Sequence, residues 1–131
     1  MEDSPAGLAA WIVEKFRSWS DCGDDVERSF TKDQLLTNIM VYWVTATATS
    51  STRLYYEMRQ AGASAMAQRF IDVPTGIANY PAEITKIPRA WVEARYHVTH
   101  WADLPRGGHF AAMEVPDLFV GDVRHFFGTV R

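Results

Sequence analysis

The chain of 131 residues has a single cysteine, Cys22. One thiol can neither close an internal disulfide nor supply a multi-cysteine zinc site, and it suits a reducing compartment. Charge of one sign is also missing. Thirteen Lys and Arg are interspersed with 16 Asp and Glu, for a formal net charge of -3. With no basic stripe to neutralise phosphates, a nucleic-acid partner is not expected. Long apolar runs are absent too. The most apolar stretch, Ile39 to Ala48, is broken by threonines and falls short of the roughly 20 residues that cross a bilayer. Glu2 and Asp3 stand where a secretory leader would be basic, so a soluble, cytoplasmic product is expected.

Motifs for a nucleophile, a phosphate or a metal are equally scarce. Gly62-Ala-Ser64-Ala-Met66 holds half of a G-x-S-x-G elbow, but Met66 replaces the second glycine. The preceding Glu57-Met-Arg59-Gln is no buried strand, so Ser64 is not expected to attack a substrate. Arg106-Gly-Gly108 is too little for a phosphate loop. His97 and His100, three apart on a predicted strand, face opposite sides and cannot share a metal. No cofactor is expected. Internal repeats and low-complexity tracts are lacking.

What is present is a folded chain, 47% hydrophobic and 13% aromatic. Ser4-Pro5 reads as an N-cap and first helical position. Leu8, Trp11, Ile12, Phe16 and Trp19 follow at helical spacing. After a polar break from Ser20 to Asp25, Thr31 and Gln34 have the spacing of a capping box. The helix they open is expected to bury Leu35, Leu36, Ile39, Met40 and Trp43. A kink or turn is predicted over Thr45 to Ser51, then a third helix from about Thr52 to Gln60.

Character changes near Phe70. Ile71, Val73 and Ile77, interrupted by Pro74 and Gly76, predict an irregular or near-edge strand. Pro88 opens a short helix with Ala90, Trp91, Val92 and Ala94. Tyr96 to Leu104 alternates with the period of a strand. The last segment, Pro116 to Val130, places Phe119, Val120, Val123, Phe126, Phe127 and Val130 at a 3.6 period, predicting a helix that buries them. Trp43, Trp91 and Trp101 are expected in the core. The order is three helices, then strand-helix-strand-helix, an α/β chain with two parallel strands. Parallel sheets need both faces covered and rarely have two strands, so further strands are expected outside this chain.

Ligands of open α/β sheets bind beyond the carboxyl ends of the strands. Glu83, Asp103 and His109 all fall near such ends. Twenty-six residues separate Glu83 from His109, enough for a crossover helix and a strand. A carboxylate on one imidazole nitrogen fixes the tautomer and frees the other as a base. Asp103 is nearer in sequence, but a strand end cannot easily curl six residues back to its own loop. Glu114 is read as the acidic start of the last helix, and His125 as exposed.

Pro105-Arg-Gly-Gly-His-Phe-Ala-Ala-Met-Glu114 resembles the C-terminal histidine motif of epoxide hydrolases of the microsomal and juvenile-hormone type. Val73-Pro-Thr-Gly76 followed by Tyr80-Pro-Ala-Glu83 is similar to that family's acid-bearing loop. Segments Ser4 to Phe16, Leu35 to Trp43 and Ser51 to Tyr55 resemble successive segments upstream of it, in the family's order. The resemblance implies an incomplete α/β-hydrolase fold, with a helical lid-like segment over 1–66 and a C-terminal part of the catalytic domain over 67–131. It further implies a small-molecule epoxide substrate, hydrated to a vicinal diol through a covalent ester. His109 matches the water-activating base, Glu83 its acid partner, and Tyr55 a lid tyrosine that hydrogen-bonds the departing oxygen. Tyr56 points about 100° away on a helix. The family's nucleophilic aspartate lies upstream of the first matched segment. Asp3, Asp21, Asp24, Asp25 and Asp33 lack its glycine-flanked context. The isolated chain is therefore expected to be inactive, as one part of a split hydrolase or as a non-catalytic binding module. An N-terminal partner chain or a second copy is expected to cover its sheet edge.

Overall fold

The computed structural model describes residues 3–65 and 70–130, the side chains of 62–65 excepted. The start of the chain folds as its caps dictate. Ser4 accepts the Gly7 N–H at 3.1 Å and opens helix α1 (Pro5–Ser18). A short 3-10 turn, Val26–Arg28, follows. Thr31 and Gln34 form a reciprocal capping box at the start of α2 (Lys32–Val44). Ala46, with φ of 52°, turns the chain into α3 (Ala48–Ala65). That helix is longer at both ends than the predicted 52–60. Threonine and serine hydroxyls of its first turns bond backward to carbonyls, as Ser50 does to Thr47 and Ser51 to Ala48, so they satisfy the helix instead of ending it.

The second half is a βαβ unit. Strand β1 (Ile71–Asn79) pairs in parallel with β2 (Tyr96–Asp103), with helix α4 (Arg89–Glu93) between them. The register of β1 shifts on either side of Thr75. Pro74 brings no donor and Gly76 no side chain, so the ladder is broken where the sequence predicts irregularity. A single-turn helix, α5 (Ala111–Glu114), and a longer one, α6 (Pro116–Thr129), follow. Gly76 lets α6 lie against β1, since a Cβ there would meet the Phe126 ring at 2.8 Å. No described helix is long and apolar enough to cross a membrane.

Two cores hold these elements. Leu8, Ile12, Phe16, Phe30, Leu35, Ile39 and Ala48 form the larger one, between α1 and α2. Tyr80, Ala111 and Val115 form the smaller, at the strand ends. Several predicted core residues are not in either. Leu36 and Met40 are exposed, as are Val120, Phe127 and Val130 of the last segment, and Trp91 is 72% exposed. Trp43, Trp101, Phe119, Val123 and Phe126 are half-buried. The apolar period is real, but it is covered only in part: Trp43 packs on the larger core, Phe119 on the smaller and Phe126 on β1, while Leu36, Met40, Trp91, Val120, Phe127 and Val130 stay exposed. The 66/67 boundary between the expected segments lies outside the described residues, as do Met66 and the Ser64 side chain.

Candidate active site at the strand ends

The strands end level, with Asn79 opposite Asp103. Asn79 donates to the Asp103 carboxylate at 2.7 Å, and the Trp101 indole donates to the same oxygen at 3.1 Å. These bonds hold the Asp103 carboxyl below its ordinary value, the Asn79 bond most. Asp103 thus ties the two strand ends together, while His109 is bonded to Glu83. Beyond it the two loops continue side by side. Leu104 N–H donates to Asn79 at 2.9 Å, Ala82 N–H to Gly107 at 3.0 Å, and Ala82 pairs with Gly108 as an isolated parallel bridge.

Glu83 and His109 are the residues immediately after that bridge pair. Their side chains meet, His109 Nδ1 to Glu83 Oε1, at 2.8 Å. The same carboxylate oxygen accepts the Ile84 N–H at 2.7 Å, which orients it. Lys86, not singled out by sequence, donates to the Tyr80 carbonyl at 2.9 Å and to that of Pro81, fixing the turn that carries Glu83. The imidazole is 42% exposed and the carboxylate 32%, so one side of the pair is open. That side is a cavity of about 500 Å³ lined by Ala78, Tyr80, Phe119 and residues 108–113 as well as the pair itself. Tyr80 is buried, its hydroxyl has no partner among the described residues, and burial above all raises its pKa.

A second cavity, of about 280 Å³, lies among the helices. Trp11, Trp19, Tyr42 and Tyr55 line it, and it shares Phe110 and Met113 with the first. Tyr55 faces this cavity and Tyr56 does not line it, although both are 63% exposed. The structure thus brings Glu83 and His109 into contact and leaves Tyr55 on a neighbouring cavity, across a shared wall. Phe110, next to His109, stacks on Phe16 at 4.2 Å, and the Trp19 ring presents an edge contact to His109 at 5.3 Å.

The aspartates are used elsewhere. Asp24 pairs with Arg17, Asp25 caps the 3-10 turn, and Asp33 sits in the first turn of α2. None lines the cavity at His109. Glu114 does not start α6; it closes α5 and accepts the N–H groups of Phe110 and Asp21 at 2.9 and 2.7 Å. His100 proves more engaged than its sequence context suggested. It bonds Asp122 of α6 at 2.7 Å, with side chains 16% and 12% exposed, and pins the last helix to β2. His97 lies 3.4 Å from Asp72 at the surface, and His125 is exposed as predicted. Among the described residues no cluster could hold a metal ion.

No family model matches the chain. Individual proteins do. It is 42% identical over 132 residues to a putative epoxide hydrolase of Stigmatella aurantiaca, covering 100% of this chain and 29% of that protein. It is 44% identical over 142 residues to epoxide hydrolase 1 of Sus scrofa, covering 100% and 31%. Among solved structures, the juvenile hormone epoxide hydrolase of Bombyx mori superposes with a TM-score of 0.86 at 34% identity, over 98% of this chain and 34% of that one. The Aspergillus niger epoxide hydrolase superposes with a TM-score of 0.80 at 28% identity, over 99% and 31%. The chain spans about a third of the length of the relatives it matches. Two parallel strands with their helices thus correspond to part of an α/β-hydrolase, and the chain is a homologue of one portion of the epoxide hydrolases of the microsomal and juvenile-hormone type.

Proposed function

We propose that this chain carries the acid-base half of an epoxide hydrolase, with His109 as the base, Glu83 as its orienting acid and Tyr55 as a donor from the lid. The observation that carries this reading is the 2.8 Å contact between His109 Nδ1 and Glu83. It engages one ring nitrogen and leaves Nε2 to take a proton. The reaction divides into two steps. A carboxylate oxygen attacks an epoxide carbon, the ring C–O bond breaks, and the Tyr55 hydroxyl donates to the oxygen released. His109 Nε2 then removes a proton from water. The resulting hydroxide adds to the ester carbonyl and the ester C–O bond breaks. The carboxylic acid so formed and the protonated His109 return their two protons to the two released oxygens, so the diol leaves and carboxylate and imidazole are restored.

Among the described residues the carboxylate lining the His109 cavity is Glu83, which is held on the imidazole; on this reading the attacking carboxylate is supplied by a portion outside this chain. Purified alone and given an aryl epoxide such as styrene oxide, the chain should release no more diol than its His109→Ala variant. Combined with the nucleophile-bearing portion of a related epoxide hydrolase, it should release diol, and His109→Ala should cut that rate about 10²- to 10⁴-fold. An unchanged rate in the combined variant would remove His109 from the mechanism. The exposed Val41, Val44 and Val73 favour a second reading, a binding module whose apolar faces take a partner without catalysis. The combined assay separates the two, since a binder would yield a complex and no diol.

A further inference from the structure

The histidine loop is held by something the reaction does not require. Three of its backbone N–H groups donate to residues of two other segments. Gly107 donates to the Asp21 carboxylate at 3.0 Å, across 86 positions of sequence. His109 donates to the Trp19 carbonyl at 2.8 Å. Phe110 donates to the Glu114 carboxylate at 2.9 Å. The other Glu114 oxygen accepts the Asp21 N–H at 2.7 Å, which closes the set into a ring. Backbone donors on ionised carboxylates form short, strong hydrogen bonds.

Two glycines make this ring reachable. Gly107 has φ of 109°, a conformation that side chains rarely adopt. A Cβ on Gly108 would lie 2.7 Å from the Trp19 carbonyl oxygen and 2.9 Å from the Ser20 Cα. The loop therefore runs in a slot against the end of α1. Neither Asp21 nor Glu114 lines the cavity where His109 is open. Their hydrogen bonds to the His109 loop are made to its backbone N–H groups.

We propose that Asp21 and Glu114 act as a pair of positioning residues. They clamp the backbone on both sides of His109 and so hold its Nδ1 on Glu83. This rests on the reading of His109 as the base, since a clamp matters only where a ring must be aimed. Reaction geometry tolerates errors of only about 0.5 Å, so small movements of a loop freed of these two anchors would matter.

The test is made on the full chain, labelled with ¹⁵N and without epoxide. Long-range ¹H–¹⁵N spectra read the His109 tautomer, and hydrogen exchange reads the amides of Gly107, His109 and Phe110. Asp21→Ala and Glu114→Ala should each speed exchange at these amides at least tenfold and move His109 toward the tautomer mixture of a free imidazole. Asp21→Asn keeps one acceptor for Gly107 and should restore both readouts. Asp24→Ala, in the same loop, and Thr31→Ala, which weakens a helix cap, should leave the tautomer unchanged. An unaltered tautomer in both alanine variants overturns the proposal, as does a tautomer shifted equally by Thr31→Ala. Should Asp21→Ala unfold the chain, Glu114→Gln decides. One acceptor cannot serve both Phe110 and Asp21, so wild-type exchange at both amides overturns the clamp. Because none of these readouts uses turnover, failure of the combined diol assay with the clamp intact counts against the base and not against the positioning.

Discussion

Glu83 is on the page of the sequence as a carboxylate near a predicted strand end, and His109 as a histidine after two glycines. Their meeting depends on a distance no spacing rule contains, the level ending of β1 and β2. The pair was legible because parallel strands end on one edge. The anchors were not, because Asp21 and Gly107 are 86 positions apart and Glu114 reads equally well as a helix start. Two single-residue expectations follow. Tyr80 buries a hydroxyl with no partner among the described residues, and such a group costs about 1–3 kcal/mol. Tyr80→Phe should therefore raise stability by about 1 kcal/mol in urea melts at neutral pH. In the parent chain, burial and then the charges of Asp122 and Glu114 hold the phenol above its ordinary 10.0. The unfolded chain ionises first, so stability should fall as pH rises past 10.0. Asp103 gives the opposite sign. Its carboxyl is held below 3.8, so its stabilisation is present above that pH and is lost as pH falls through the lower folded value. Asp103→Asn should flatten that acid limb, as compared in urea melts at pH 6 and about pH 3.

At the level of the elements, caps and periods read well. Ser4, the Thr31–Gln34 box and both strands lie where the sequence places them. The expected turn over Thr45 to Ser51 was wrong in its second half, because hydroxyls that compete with a helix elsewhere are absorbed into the first turns of α3. Thr31→Ala removes one side of the capping box and should cost about 1 kcal/mol, read as a lower thermal midpoint. Gly76→Ala should cost more, because its Cβ would enter the Phe126 ring that seats α6 on β1. Hydrogen exchange in α6 would report that loosening ahead of global unfolding.

For the whole molecule, the apolar period overstates burial. Leu36, Met40, Val120 and Phe127 follow a helical stripe yet stand exposed, since a stripe records a face meant to be covered and not what covers it. A two-stranded parallel sheet whose flanking helices leave such faces open is an incomplete layer. Exposed apolar patches of several hundred Å² promote association. Sedimentation of the purified chain should therefore show concentration-dependent dimers or larger species. A monomer across the micromolar range would mean that the faces are tolerated in water.

Glu83 and His109 each stand one step past the bridge between Ala82 and Gly108. Surface loops ordinarily absorb inserted or deleted residues, but these two cannot. Removing one residue from either should turn the Glu83 and His109 side chains out of step and break their 2.8 Å contact.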